Sequence, residues 1–181
     1  MKDIIYIGID PSLTGTGIYS SDNKNLLIIT KNEDNTITDR ILYIWKTIFS
    51  FLKEFDLSNT PIVIGIEGFS YMSKGQRMGE LFGLGYFIRC MLTEHKISYY
   101  DISPNTWKKF LLKQKLNKEG KDIIILETYK RYGKEIRNNN LCDAFNICKF
   151  IEALDKYKDK REINLTKLEV DLIEKCLKNG N

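Results

Sequence analysis

IIYIGIDPSLTGTG, residues 4–17, carries an acidic residue at the end of an apolar run and follows it with a turn. The run is short and rich in isoleucine, which predicts a buried β-strand. The proline after Asp10 favours an extended backbone at the aspartate, so we expect its side chain to project beyond the strand end. Gly15 and Gly17 are expected to supply the conformational freedom for a reversal into a second strand.

Two more carboxylates follow apolar runs further along the chain. Residues 61–68, PIVIGIEG, deliver Glu67 to a strand end, and residues 141–146, LCDAFN, place Asp143 in the first turn of an apolar helix. For a single aspartate at a strand end, a turn former or a helix cap is the ordinary interpretation. An acidic group beside an apolar core is costly unless it is paired or bound to a metal. Three together therefore predict a divalent-cation site and metal-dependent phosphodiester chemistry.

Length and composition fit one domain with a substantial core. The chain has 181 residues, 43% of them hydrophobic, and its net charge of +4 is too small to establish a nucleic-acid partner. No run approaches the roughly 20 apolar residues that span a bilayer, so we expect a soluble intracellular protein with no membrane partner. Four cysteines without zinc-site spacing are predicted to be reduced core thiols, namely Cys90, Cys142, Cys148 and Cys176.

The periodicity of the sequence predicts an α/β fold with a mixed five-stranded sheet flanked by helices. The first strand should continue into an antiparallel meander over residues 18–30. An amphipathic helix that starts near Ile41 and ends before Pro61 should connect this meander to the Glu67 strand. Ser103 and Pro104 are typical of a helix start. Further elements are predicted at residues 76–94, 97–102, 121–131, 141–154 and 165–177, with residues 1–154 as the main domain and residues 155–181 as a charged helical extension.

A lysine-rich segment lies in the second half of the chain. Residues 108–121 contain a single acid, Glu119, and Trp107 and Phe110 are interleaved with the lysines. Lysine clusters contact phosphates without reading base sequence, which suits recognition of a branched shape. An ordinary solvated helix face is the alternative interpretation. The candidate DNA-binding lysines are Lys108, Lys109, Lys113, Lys115, Lys118 and Lys121.

The order of a strand Asp, a strand Glu and a helix Asp resembles the RuvC-type Holliday junction resolvases of the RNase H-like superfamily. The resemblance covers about residues 3–154. Residues 79–85, GELFGLG, are similar to the family's interface helix, and residues 103–109, SPNTWKK, to its segment before the basic loop. The short chain, rich in Lys, Asn and Ile, most resembles variants from phages of low-GC Gram-positive bacteria.

The resemblance implies an RNase H-like fold and cleavage of Holliday junctions and other branched DNA by a homodimer in the cytoplasm of a bacterial host. Asp10, Glu67 and Asp143 would be catalytic and would hold two Mg²⁺ ions, with Mn²⁺ as an alternative. Hydrolysis would leave a 5′-phosphate and a 3′-hydroxyl, as suits an enzyme of DNA recombination and repair. After the Glu67 strand, Lys74 and Arg77 would lie near the branch point.

Two asparagines near the helix Asp have open roles. Bacterial relatives usually carry an acid or a histidine three residues before the position of Asp143, where this chain has Asn140. Asn140 either binds metal through its amide oxygen or caps the helix. Asn146, one turn along, is another candidate oxygen ligand. Phe69 is open in the same way, because it either stacks in branched DNA or covers the edge of the core.

Other functions fit parts of the pattern. An RNase H-like ribonuclease would use the same metal chemistry. Residues 10–17 also resemble the phosphate loop of sugar kinases and actin-like ATPases, but those proteins need a second Gly-rich loop, which this sequence lacks. A structure-selective DNA-binding protein without catalysis would not need three carboxylates. The single histidine, His95, argues against histidine-based nuclease chemistry.

Overall fold

The computed structural model describes residues 4–31, 36–69, 78–113 and 120–179. Within these residues the strands form one mixed sheet in the order β3-β2-β1-β4-β5. β1 pairs antiparallel with β2 and parallel with β4, and β5 runs parallel to β4. The predicted five-stranded sheet is therefore confirmed. The strands are β1 (Ile5–Asp10), β2 (Gly15–Ser20), β3 (Asn25–Ile29), β4 (Ile62–Glu67) and β5 (Tyr99–Ile102).

The first helix and the helix after Ser103 begin at side-chain caps. Thr36 caps the first helix in a capping box with Asp39, so that helix begins four residues before the predicted start. The predicted start at Ser103 is confirmed, because its side-chain oxygen accepts a hydrogen bond from the Thr106 amide at 3.2 Å. The helices are α1 (Ile37–Leu52), α2 (Met78–Glu94), α3 (Pro104–Leu112), α4 (Lys121–Tyr132), α5 (Asn139–Lys158) and α6 (Lys167–Asn179).

The helices form two layers because side chains alternate across the sheet. Ile7 and Ile9 point to one face, where they pack with residues of α1 and α2 such as Ile44 and Leu84. Tyr6 points to the other face, among residues of α3, α4, α5 and α6. The carboxyl ends of β1, β4 and β5 therefore lie at one edge of the sheet, between two helical layers.

Glycines let helix α5 lie directly on the sheet. A Cβ added to Gly8 would lie 2.0 Å from the Ala144 carbonyl oxygen, and one added to Gly17 would lie 2.2 Å from the carbonyl oxygen of Asn140. The predicted role of Gly15 and Gly17 in a chain reversal is wrong. Both lie inside β2, and residues 11–14 make the turn instead. A side chain at Gly8 or Gly17 would push the helix backbone away, whereas a Cβ at Gly15 would first meet Nδ2 of the Asn140 side chain, at 2.5 Å.

The residues after Asp155 continue into the same packed structure. Helix α5 runs through this position to Lys158, and the Tyr6 hydroxyl donates to Asp155 Oδ2 at 3.0 Å. The predicted C-terminal helix is confirmed as α6, which joins the α3 side of the core. Arg131 of α4 forms an ion pair with Glu169 of α6, whose side chain is buried. The division into a domain and an extension stays a prediction.

The cysteines divide between core and surface. All four are free thiols; Cys142 and Cys148 are buried as predicted, but Cys90 is exposed and Cys176 is half-buried. The prediction that all four lie in the core is therefore wrong, because the face of α2 that carries Cys90 points away from the sheet. In the described parts of the chain, no helix is long and apolar enough to cross a membrane.

Candidate active site

Asp10 ends the central strand of the sheet and is buried, with 7% of its surface exposed. It pairs with Gly17 of β2, while its neighbour Ile9 pairs with Ile66 of β4. The turn that follows is held by hydrogen bonds, among them one from the Thr16 hydroxyl to the Ser12 carbonyl at 2.7 Å. The side chains of Arg40 and Thr30 both donate to the next carbonyl in the turn, that of Leu13. Strand pairing before Asp10 and hydrogen bonds in the turn after it therefore hold the backbone on both sides of this residue.

Glu67 ends β4 at the same edge of the sheet, because β4 runs parallel to β1. The indole Nε1 of Trp107 donates to its Oε1 at 3.0 Å. Arg89 Nη2 donates to its backbone carbonyl at 3.1 Å. Besides burial, the charge of Glu67 and a hydrogen bond between the two side chains raise the pKa of Asp10, so the two carboxyl groups lie close together. Glu67 is thus anchored through both its backbone and its side chain.

Asp143 reaches the site from helix α5. The helix begins at Asn139, two residues earlier than predicted, so Asp143 lies in its second turn and not in its first. The close approach of Ala144 to Gly8 brings this part of the helix down onto β1, whose last residue is Asp10. Its charge acts on Asp10. The three predicted carboxylates therefore come from three separate elements and meet at one end of the sheet.

The electrostatics of the site favour a bound cation. Burial raises the pKa of Asp10 well above its ordinary value, the negative charges of Glu67 and Asp143 raise it further, and Lys108 opposes the shift. Across the described residues, no three His, Cys, Asp or Glu side chains are arranged as a ready-made metal site. A divalent cation nevertheless fits this donor set, since it would offset the negative charges and find hard oxygen ligands.

The two asparagines occupy different surroundings. Asn138, and not Asn140, caps α5, because its side-chain oxygen accepts from the Leu141 amide at 3.1 Å. Asn140 instead lies over β2, where its carbonyl oxygen covers Gly17, the strand partner of Asp10. The Asn146 side chain is buried, and its Nδ2 donates to the Thr128 hydroxyl at 2.7 Å. Its Oδ1 has no hydrogen-bond partner among the described residues. Metal ligation by either residue stays a prediction.

The predicted DNA-binding residues lie partly within the described structure. Lys108 sits over the Trp107 ring with its Nζ 5.0 Å from the ring centroid, and its charge acts on Asp10. Lys109 is half-buried on α3, and Lys113 is exposed where that helix ends. The interleaved Trp107 and Phe110 are buried, so they offer no free ring face to DNA bases. Lys74, Arg77, Lys115 and Lys118 and the side chain of Lys121 lie outside the described residues.

Phe69 lies against helix α2 in this structure. Its ring is 4.9 Å from that of Phe82 and 4.8 Å from that of Tyr86, and the Arg89 guanidinium lies 4.7 Å from its centroid. It also lines a cavity of about 190 Å³ that reaches Glu67. Of the two interpretations of Phe69, the structure has the one in which the ring covers the edge of the core.

Sequence reasoning missed the two residues that hold Glu67. Arg89 is 6% exposed and forms an ion pair with Asp101 of β5, besides its bond to the Glu67 carbonyl. Trp107 was considered only as a neighbour of lysines, whereas the structure buries it completely. Arg89 is a charged residue at a core position of α2, and buried arginines are rare without partners. This pattern could have indicated that Arg89 binds a partner inside the fold. The sequence carried no comparable signal for Trp107.

Comparison with known proteins agrees with this description. The family model described as "Lactococcus phage M3 protein" matches residues 10–153. A search of curated proteins found no match. The structure of Thermus thermophilus RuvC in complex with a Holliday junction substrate is similar, with a TM-score of 0.62 and 17% identity over 81% of this chain and 90% of that chain. A second structure of Thermus thermophilus RuvC gives a TM-score of 0.59 and 18% identity, over 80% of this chain and 91% of that one.

The family match spans most of the chain and includes Asp10, Glu67 and Asp143. The similarity to RuvC concerns the fold, and it agrees with the RNase H-like architecture that the sequence motifs indicate. The description of the matching family is consistent with the phage origin that the length and composition of the chain indicate. The chain belongs to the family described as "Lactococcus phage M3 protein", and it has the fold of RuvC.

Proposed function

We propose that this chain is a Mg²⁺-dependent, structure-selective endonuclease that cleaves Holliday junctions and other branched DNA. The observation that carries the proposal is the meeting of Asp10, Glu67 and Asp143 at one end of the sheet. The fold supports it, because the similar RuvC chain is described in complex with a Holliday junction and is matched over 90% of its length. A DNA-binding protein without catalysis would gain nothing from bringing two further acids beside the buried Asp10.

The three carboxylates would hold two Mg²⁺ ions, with Mn²⁺ as an alternative, and Asn140 or Asn146 would add a neutral oxygen. When bound, the ions supply an activated water and stabilise the leaving oxygen of the phosphodiester. The chain's own contribution is positioning. Strand pairing fixes Asp10 and Glu67 side by side, and the packing of α5 on Gly8 sets the distance of Asp143 from both.

The basic residues of α3 would bind the DNA backbone next to the carboxylates. Lys108 supports this role because its charge already acts on Asp10, so a phosphate between them would contact both the lysine and the cation site. Lys109 and Lys113 continue along the same helix. Lys115, Lys118 and Lys121 would extend this surface, and Lys74 and Arg77 would bind near the branch point of the DNA.

A homodimer would allow two symmetry-related strands of one junction to be cut. Helix α2 supports this proposal, because Tyr86 is 60% exposed on it. A Cβ on Gly79 would meet nothing within 4 Å, and one on Gly83 would only just touch Ile41. Leu81 and Phe82 are half-buried beside these open positions. A second copy of the helix could therefore pack closely against this face.

The test is cleavage of end-labelled four-way junction, flap, linear duplex and RNA–DNA hybrid, each with Mg²⁺ or with EDTA. We expect Mg²⁺-dependent cutting of branched DNA, and its loss in Asp10→Asn, Glu67→Gln and Asp143→Asn, all of which should still bind the junction. Cutting confined to the hybrid would favour the ribonuclease alternative. Near-normal cutting of the junction by any of the three variants would contradict the proposed site.

A further inference from the structure

The Glu67 carboxylate accepts a hydrogen bond from a side chain of helix α3. Trp107 Nε1 donates to its Oε1 at 3.0 Å, although the two residues are 40 positions apart in the chain. The indole is completely buried, and the Glu67 that accepts from it is half-buried. A buried indole N–H usually finds an acceptor, and a backbone carbonyl would satisfy it. Here the acceptor is an oxygen of the proposed metal ligand.

The backbone around this bond is rigid. Glu67 pairs with Ile102 of β5, and the Gly68 amide donates to the Ile102 carbonyl at 2.8 Å. Helix α3 starts immediately after β5, with Ser103 as its cap. Trp107 therefore stands on the first turns of a helix whose beginning is attached to the strand beside Glu67. The pairing of β4 with β5 and the start of α3 therefore position the donor beside Glu67.

We propose that Trp107 is a positioning residue that orients the Glu67 carboxylate toward Asp10 and the cation site. This inference rests on the proposed function, since it assigns Glu67 to metal binding. A carboxylate free to rotate would have to be ordered each time a cation binds. The indole bond holds Oε1 and so limits this rotation, and Oε2 is not needed for the bond. Removal of such an outer hydrogen bond typically costs about 10-fold to 100-fold in metal affinity or activity.

The position of Lys108 adds a consequence for substrate binding. Its Nζ lies over the same Trp107 ring, at 5.0 Å from the centroid. The face of the ring thus contacts Lys108, which is proposed to bind a DNA phosphate, and its edge contacts Glu67, which is proposed to bind the metal. A shift of the ring would move both groups together, so Trp107 ties the DNA-binding helix to the metal site.

The test is Mn²⁺ binding to the full chain without DNA, with free Mn²⁺ measured by electron paramagnetic resonance. We expect Trp107→Phe to bind Mn²⁺ at least about tenfold more weakly than the unmodified chain. The matched control is Trp45→Phe, which makes the same change to a buried indole, stacked on Phe49 in the other helical layer, and should leave Mn²⁺ affinity unchanged. Thermal unfolding of each variant reports stability separately.

A second variant removes the N–H while keeping the shape of the side chain. Benzothienylalanine at position 107 has sulfur in place of the indole nitrogen, and we expect the same loss of Mn²⁺ affinity with little change in stability. Unchanged affinity in this variant would overturn the positioning role, whether or not Trp107→Phe folds. If the unmodified chain bound no Mn²⁺, the proposed metal site and this inference would both fall, so the two failures are distinguishable.

Discussion

Replacement of Gly8 by alanine tests the contact that brings Asp143 to the strand carboxylates. The added Cβ would lie 2.0 Å from the Ala144 carbonyl oxygen and 2.5 Å from the Cys148 nitrogen. Both atoms belong to the backbone of α5, so no side-chain rotation can relieve the clash. The helix would have to retreat by roughly 1 Å, and overpacking of this kind costs about 3 kcal/mol or more. That is a large part of the roughly 5–15 kcal/mol that stabilises a typical domain.

Gly65 and Gly83 provide graded controls for this prediction. A Cβ on Gly65 would meet the side chains of Ile151 at 2.4 Å and Ile147 at 2.9 Å, which can rotate, so we expect Gly65→Ala to cost only about 1–3 kcal/mol. Gly83 lies on an exposed helix face with its nearest neighbour 4.0 Å away, and alanine there should stabilise by up to about 1 kcal/mol. Urea denaturation followed by circular dichroism gives all three values. If Gly8→Ala were no less stable than Gly65→Ala, the reasoning about α5 would be refuted.

Four further predictions follow from the structure. Burial opposes ionisation of Glu169, but its hydrogen bonds outweigh burial and lower the pKa of its carboxyl group from 4.5. The ionised carboxylate therefore stabilises the fold above about pH 4.5, and this stabilisation is lost on acidification. In urea denaturation, Glu169→Gln should be less stable than the unmodified chain at neutral pH and should lose less stability as the pH falls. Alanine at both Lys108 and Lys109 should reduce the slope of log affinity against log salt for junction binding by up to about 2, and an unaltered slope would assign these lysines to a solvated face. Asn140→Asp should tighten Mn²⁺ binding in calorimetric titration, because it adds a charge beside the site, whereas an unchanged titration would exclude a ligand role. Leu81→Glu should yield a folded monomer that no longer makes paired incisions, and a monomeric unmodified chain in sedimentation would contradict the dimer.

Much of the fold could be predicted because its signals are local. The apolar runs that end in Asp10 and Glu67 indicate strands by composition alone, and the Ser103-Pro104 pair marks a helix start by side-chain chemistry. The convergence of the carboxylates was predictable in outline, since parallel neighbouring strands end at the same edge of a sheet. The order of a strand Asp, a strand Glu and a helix Asp then indicated metal-dependent phosphodiester chemistry.

The errors concern contacts between distant parts of the chain. Gly17 in sequence is indistinguishable from a turn glycine, and only the helix that lies on it, more than a hundred residues later, explains why a side chain is excluded. The bond from Trp107 to Glu67 depends on the pairing of β4 with β5, which fixes where α3 begins. Asn138 and Asn140 are neighbours in an asparagine run, and only backbone geometry decides which one caps the helix.

The bond between Tyr6 and Asp155 also bears on how the chain folds during synthesis. It joins residues 149 positions apart, and the parallel pairing of β1 with β4 spans more than fifty residues. Structures dominated by such distant contacts fold slowly, because long loops must close before the contacts form. On the ribosome, β1 can first pair only with β2, to which β3 adds as the third strand of the meander. Its other edge and the surface around Gly8 stay uncovered until β4 and then α5 have left the exit tunnel, so the acidic centre is completed only after most of the chain has been synthesised.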